Sequence, residues 1–305
     1  MAVFPGRVMP GHVMPGHVMD ALIAGDLFVD LILTGFASWP APGEEAFATG
    51  LHREAGGGAA ITAHGLAKLG VHTGVVGTVG SSDGEWLIDR FRQLGVDSSA
   101  IRKDPGRQTG LTVAVSDAHE RAFFTYAGAN HGTARILEWE PLPQARHVHL
   151  ACVPTLRMLE RLRQENYSVS IDVGWHPEWL ANPANAQVVR LADICFPNER
   201  EAQVMRHWIA EIPETMVVIK RGPAGAESVL HGERYTHPGF TIDALDTTGA
   251  GDCFDAGFLS AWLQGRPAPE CLRVGNACGA LSTRATGGIS GMPSPTELQE
   301  FLCET

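Results

Sequence analysis

The segment Asp246-Thr247-Thr248-Gly249-Ala250-Gly251-Asp252 brings three requirements of anion chemistry together. Gly249 and Gly251 allow backbone amides to approach an anion closely. The stretch that follows, Cys253 to Phe258, reads as the start of an amphipathic helix. A first helical turn leaves its N–H groups unpaired and carries partial positive charge, which suits phosphate. Asp252 stands where a hydroxyl would meet that phosphate, so it reads as a general base. The structural alternative is a glycine-rich turn with Asp252 as N-cap. Phosphoryl transfer asks for positioning and charge neutralisation more than covalent chemistry. The amides of Gly249, Ala250 and Gly251 would supply both. The chain has no G-x-x-x-x-G-K-[ST] loop and no H-R-D set, so phosphate binding rests on this helix start.

Other clusters are weaker alone. Asn198 and Glu201 lie three apart after Phe196-Pro197 and share one helix face. Mg²⁺ keeps several waters, so so sparse a pair is chemically adequate; a capped helix start explains it equally. Lys220-Arg221-Gly222-Pro223-Ala224-Gly225 follows an apolar strand. Gly222 and Gly225 would admit ribose or phosphate to the backbone, or simply make a tight turn. Asp30 ends an apolar stretch. A carboxylate there accepts two adjacent hydroxyls well, and burial favours a partner; an Asp facing water at a strand end is the alternative. His147 and His149 alternate on one strand face, but no third metal ligand is evident. His12 and His17 lie in a repeat and do not by themselves make a metal site.

Asp246 to Phe258, DTTGAGDCFDAGF, resembles the C-terminal signature of the pfkB (ribokinase-like) carbohydrate and nucleoside kinases. Supporting segments run from about Ala21 to Gly288. The resemblance implies an ATP-dependent kinase acting on a hydroxymethyl group of a sugar or sugar derivative, with Asp252 as base. It implies that Asn198 and Glu201 organise Mg²⁺ and phosphate, Glu201 through water. Lys220, Gly222 and Gly225 would lie at the nucleotide, and Asn276 at adenine. Asp30 would bind substrate hydroxyls, Gly56-Gly57 would approach the sugar through the backbone, and Asn130 would reach the substrate. Carbonyls of Asp246 and Thr248 would lie near a monovalent cation such as K⁺.

Two residues depart from the pattern. Phe28 and Ile61 stand where amide side chains are usual, which argues against a plain ribokinase. A nucleoside kinase of the adenosine or cytidine type is the alternative, with Phe123-Phe124 enclosing a base. A non-catalytic sugar-binding regulator is a third reading, against which the retained Asp252 speaks. Arg121 would bind an anionic sugar or sit solvated on the lid. The implied fold is α/β: a central, mostly parallel sheet flanked by helices, with a small β lid from about 33–54 and 107–126. Both faces of the lid carry apolar residues, and a homodimer through the lid is expected.

The elements that must position these residues are partly legible. Ala21–Ile32 reads as one buried strand, and Gly56–Gly58 opens a helix over Ala59–Leu69. Asp83–Leu94 is amphipathic. Gly110–Val115 and Arg121–Tyr126 read as strands joined by a turn. From His147 strands and helices alternate, which predicts parallel βαβ units. His231-Gly232 marks a hairpin. Helices are predicted over Asp252–Gln264, Pro269–Thr283 and Thr296–Leu302.

Composition sets the frame. The chain has 305 residues, 44% hydrophobic and 19% charged, which predicts a globular protein. A formal net charge of −11 argues against a nucleic-acid surface. No apolar run approaches the ~18 residues of a membrane span. The six cysteines form no C-x-x-C pair and read as buried thiols. A soluble cytoplasmic protein is expected. Residues 1–18 carry three copies of a Pro-Gly-x-Val-Met repeat and read as a disordered leader, or as an upstream start ahead of a natural Met19, before a kinase domain over 19–305.

Overall fold

Alternation along the first strand decides the layering. In β1 (Met19–Gly25), Ala21 and Ile23 enter one apolar core while Leu22 and Ala24 enter another. A strand buried on both faces belongs inside a sheet covered by helices on each side. The computed structural model describes residues 18–36, 39–116 and 121–304. The expected leader therefore lies almost wholly outside the described residues.

The chain leaves β1 at Gly25 and enters β2 (Phe28–Thr34) in a different sheet. The single buried strand expected over Ala21–Ile32 is thus two strands. The Gly-Asp step breaks it, and β2 is only half-buried because one of its faces meets solvent. β3 (Gly50–Gly56) pairs antiparallel with β2. α1 (Gly58–Lys68) and β4 (Thr73–Gly80) return to the core, followed by α2 (Glu85–Gln93) and β5 (Ile101–Asp104). β6 (Gly110–Ser116) and β7 (Arg121–Tyr126) complete the small sheet in the order β3-β2-β6-β7.

The second half alternates as the periodicity predicts. It runs α3 (Thr133–Trp139), β8 (Ala145–Ala151), α4 (Leu156–Gln164), β9 (Ser168–Ile171), α5 (Pro177–Ala181) and α6 (Ala186–Val189). Then come β10 (Ile194–Cys195), α7 (Glu199–Met205), β11 (Met216–Lys220), β12 (Ala226–Leu230) and β13 (Glu233–His237). α8 (Ala250–Leu263), α9 (Ala268–Ser282) and α10 (Pro295–Glu304) close the chain. The main sheet has the order β13-β12-β11-β10-β9-β8-β1-β4-β5. β12 and β13 are its only antiparallel additions among the described strands, turned by His231 and Gly232 at φ 51° and 81°. This is the mostly parallel sheet with a small lid that the sequence implies.

His147 and His149 are fully buried on one face of β8. His147 bridges the hydroxyls of Ser168 and Ser170, at 2.9 and 2.7 Å, and His149 meets Ser170 at 2.8 Å. Burial lowers both imidazoles below their usual titration range. They are core histidines, and no group of three or more metal-ligating side chains occurs among the described residues.

Candidate active site

Strand order reverses at β1, where β4 lies on one side and β8 on the other. In a parallel sheet the crevice beyond the strand ends at such a point is where ligands bind. α1 begins there with Gly57 at φ 89° as its N-cap. A Cβ at Gly57 would lie 2.6 Å from the Asp26 carbonyl oxygen and 3.1 Å from the Phe28 ring. Only glycine allows so close an approach of the helix start to the β1–β2 connection.

Asp30 lies against the glycine turn that leads into α1. In register it opposes Glu54 on β3 and Thr112 on β6, and its carboxylate packs against Gly56. Burial raises its carboxyl to about 6, against the opposing pull of the Thr112 hydroxyl. Asn130 behaves differently. Its Oδ1 accepts from Leu27 N at 2.8 Å and its Nδ2 donates to Leu27 O at 3.1 Å. Both ends of the amide thus clamp the peptide between β1 and β2.

The helix start of α8 lies opposite. Gly249 is its N-cap in the left-handed region, φ 71°. Asp252 sits in the first turn, one residue beyond Gly251 and not at the cap. Its carboxyl is pushed up to about 7, first by burial and then by Asp172, against the pull of Lys220. Ile61 packs beneath this loop: a Cβ at Gly249 would lie 2.7 Å from Ile61 Cδ1. The isoleucine therefore packs against the loop before α8 and against Gly288.

A cavity of about 640 Å³ extends from Asp252 between α7, β11, α8 and α9. That volume suits a nucleotide-sized ligand. Asn198, Glu201, Lys220, Gly222, Gly225, Ala250, Gly251 and Asn276 all line it. Asn198 and Glu201 form a reciprocal capping box, with bonds of 2.8 and 2.9 Å. The capping geometry and the cavity position coexist, since the box uses Oε2 of Glu201. Burial raises the Glu201 carboxyl, against the Asn198 N–H that lowers it. Asn276 points its Nδ2 at the carbonyls of His237 and Pro238, at 3.3 and 3.4 Å. Its amide thereby fixes the wall that leads to Phe240. Asp246 and Thr248 lie beside the cavity rather than in its lining. Asp246 Oδ1 accepts from Thr248 N and Oδ2 from Gly287 N, bracing the loop before α8.

Sequence reasoning gave no role to Asp172 and Asp255. Lys220 Nζ lies 2.7 Å from Asp172 and 3.0 and 3.1 Å from the two oxygens of Asp255. Burial opposes ionisation of Asp172, but the Lys220 charge and the hydrogen bonds from Asp255 and Lys220 together hold that carboxyl low. Burial drives the Asp255 carboxyl well up. The available signals were slight: Asp255 lies one turn after Asp252 in the signature, and Asp172 closes a predicted strand.

Comparison with known proteins agrees with this fold. Residues 20–295 match the model of the pfkB family carbohydrate kinases. An ATP-dependent ribose-1-phosphate kinase of Halopiger xanaduensis is 33% identical over 83% of this chain and 88% of its own. A cytidine kinase of Thermococcus kodakarensis is 29% identical over 72% of this chain and 84% of its own. The ribokinase structure from Thermotoga maritima superposes with a TM-score of 0.78 at 25% identity, covering 93% of this chain and 99% of that one.

Proposed function

The chain belongs to the pfkB family of carbohydrate kinases, and from that premise we propose that it transfers the γ-phosphoryl group of ATP to a hydroxymethyl group of a sugar or sugar derivative. One observation carries the reading. Asp252 and the Ala250–Gly251 helix start line the same cavity as Asn198, Glu201 and Lys220, with Gly249 as the N-cap just outside it. A carboxylate able to take a proton and helix-start amides able to hold an anion beside a nucleotide-sized space support it.

The acceptor hydroxyl gives its proton to Asp252 as its oxygen bonds to the γ-phosphorus. The bond from that phosphorus to the β,γ-bridging oxygen breaks, and ADP leaves. The amides of Gly249, Ala250 and Gly251 hold the transferred group. Asp30, with Gly56 and Gly57, holds the acceptor's other hydroxyls. Asn130 shapes that side through Leu27. Gly222 and Gly225 border the donor, and Asn276 sets the wall at its base.

The donor set suits Mg²⁺ delivered with ATP. Glu201 and Asn198 line the cavity, few enough to leave the ion most of its waters. When bound, Mg²⁺ would neutralise phosphate charge, with Glu201 contacting it through water. A K⁺ ion would be held by carbonyls of the loop at Asp246 and Thr248, which the Asp246 side chain braces.

The lid supports an assembly. Leu51, Phe123, Phe124 and Tyr126 are all more than half exposed on the small sheet. A second copy pairing there would cover the face shared by Leu51, Phe124 and Tyr126, while Phe123 lies on the Asp30 face. Six free thiols support a cytoplasmic setting, and no helix among the described residues is long and apolar enough to cross a membrane.

A nucleoside acceptor is the second reading. Phe28 supports it, because its ring lies between the close-packed positions Gly57 and Gly110 and borders the acceptor side. The test is an ADP-release screen over ketoses, aldoses, sugar phosphates and nucleosides. A sugar or sugar derivative as best acceptor is expected. A nucleoside as best acceptor selects the second reading, and no acceptor-dependent ADP release overturns both.

A further inference from the structure

Lys220 ends β11 and reaches across the cavity floor to α8. Its ammonium is caught between two carboxylates from different elements. Asp172 approaches from the end of β9 and Asp255 from one turn beyond Asp252. Asp255 is completely buried, and the side chains of Asp172 and Lys220 are nearly so, at 13% and 11% exposure. A Cβ built on Gly251 would lie 3.4 Å from Lys220 Nζ. The ammonium therefore sits directly against the backbone of the anion hole.

We propose that Lys220 is the resident cation of the phosphoryl-transfer site, and that Asp255 is a positioning residue which, with Asp172, holds it against Gly251. The proposal rests on the kinase reading above and adds roles that reading does not need. A lysine side chain has four rotatable bonds, and a solvated ammonium is mobile. Two anchors on opposite sides remove that freedom before substrate arrives. A cation fixed in advance costs no reorganisation when charge develops on the transferred group. Lys220 keeps its protons throughout, and the acceptor proton goes to Asp252.

The two anchors are not equivalent. Lys220 holds Asp172 ionised, while burial and the Asp172 charge favour a proton on Asp255. Both oxygens of Asp255 lie within 3.1 Å of the ammonium in a fully buried position. What Asp255 contributes is an oxygen at a fixed place rather than a charge. An amide should replace it, and an apolar side chain should not.

The test uses the full chain with the best acceptor from the screen. kcat and KM are measured for Asp255→Asn, Asp255→Leu, Lys220→Met, the Lys220→Met/Asp255→Leu double variant, and Asp252→Asn. Lys220→Met should lower kcat by about 10²–10³-fold, the scale of removing one preorganised group. Asp255→Leu should lower it by roughly a tenth of that factor, with acceptor KM nearly unchanged, and Asp255→Asn should restore most of the rate. In the double variant the second substitution should add about nothing, because Asp255 acts through Lys220. Should Asp255→Leu fail to fold, Asp255→Ser replaces it in the cycle. Losses that multiply in the double variant, an Asp255→Asn as slow as Asp255→Leu, or full turnover in Lys220→Met would overturn the proposal. Full turnover in Asp252→Asn would instead overturn the kinase mechanism on which it rests.

Discussion

Gly58 and Asp252 face each other where α1 meets α8: a Cβ at position 58 would lie 2.6 Å from Asp252 Oδ1. The Thr62 hydroxyl, one turn further along α1, reaches the Asp252 carbonyl at 3.4 Å. Two helix starts therefore converge on one carboxylate, and a missing side chain makes room for it.

Gly58→Ala tests that relationship. The added methyl must push the carboxylate aside, and misplacement of a reacting group by about 1 Å costs on the order of 10²-fold in rate. kcat should fall by about that factor. The far-UV circular dichroism should be unchanged, since alanine suits a helix better than glycine.

Asp252→Asn should cut turnover by ~10²–10⁴-fold, the range of a general base. The wild-type rate should carry an acid limb near pH 7, because burial raises this carboxyl to about 7 and only its ionised form accepts a proton. A pH–rate profile of kcat/KM for the acceptor measures both. A flat profile between pH 5 and pH 8 would remove Asp252 from that role.

The same substitution should affect stability in the opposite sense. The folded-state pKa of Asp252, at about 7, lies above the ordinary carboxylate value, so folding favours the protonated form. That stabilisation is complete below about pH 4 and is lost as pH rises through about 7. At pH 8 the wild type carries a buried charge that Asp252→Asn lacks. Thermal melts should show the variant a few degrees more stable at pH 8, with the advantage fading towards pH 4.

Glu201→Gln should leave the α7 start intact, because a glutamine oxygen still accepts from the Asn198 N–H. It removes the negative charge from the cavity wall. The Mg²⁺ concentration for half-maximal activity should rise by about tenfold or more, with acceptor KM little changed. An unchanged Mg²⁺ curve would leave Glu201 as a capping residue only.

Phe124→Asp should split the proposed lid dimer. Phe124 is 61% exposed beside Phe123 and Tyr126. Light scattering should give about twice 32.7 kDa for the wild type and the single mass for the variant. A wild type that remains monomeric at high concentration contradicts the shared lid.

The legible parts of this molecule are those with a strong local rule. The β12–β13 turn followed from His231-Gly232, and α8 and α9 came within about two residues of prediction, the ordinary uncertainty of helix ends. The Gly249 turn into α8 was legible because glycine spacing and a helix start are both local. What failed was non-local. Nothing between Ala21 and Ile32 shows that β1 and β2 join different sheets, because both halves are apolar and β-branched. The Lys220 ion pairs join residues 48 and 35 positions apart, a distance that periodicity does not address. Asn130 shows the same limit: its motif position was clear, yet its amide engages Leu27, 103 positions away.

The two-residue step from β1 to β2 assigns the two key carboxylates to different bodies. Asp30 travels with the small sheet and Asp252 with the helical core, and the Leu27 peptide, gripped by Asn130, is the joint between them. Under the proposed function, choice of acceptor and delivery of phosphate can thus be inherited separately. Strands grafted from a relative of different taste onto this joint would import a new preference, while the machinery at Gly249–Asp252 stayed as it is.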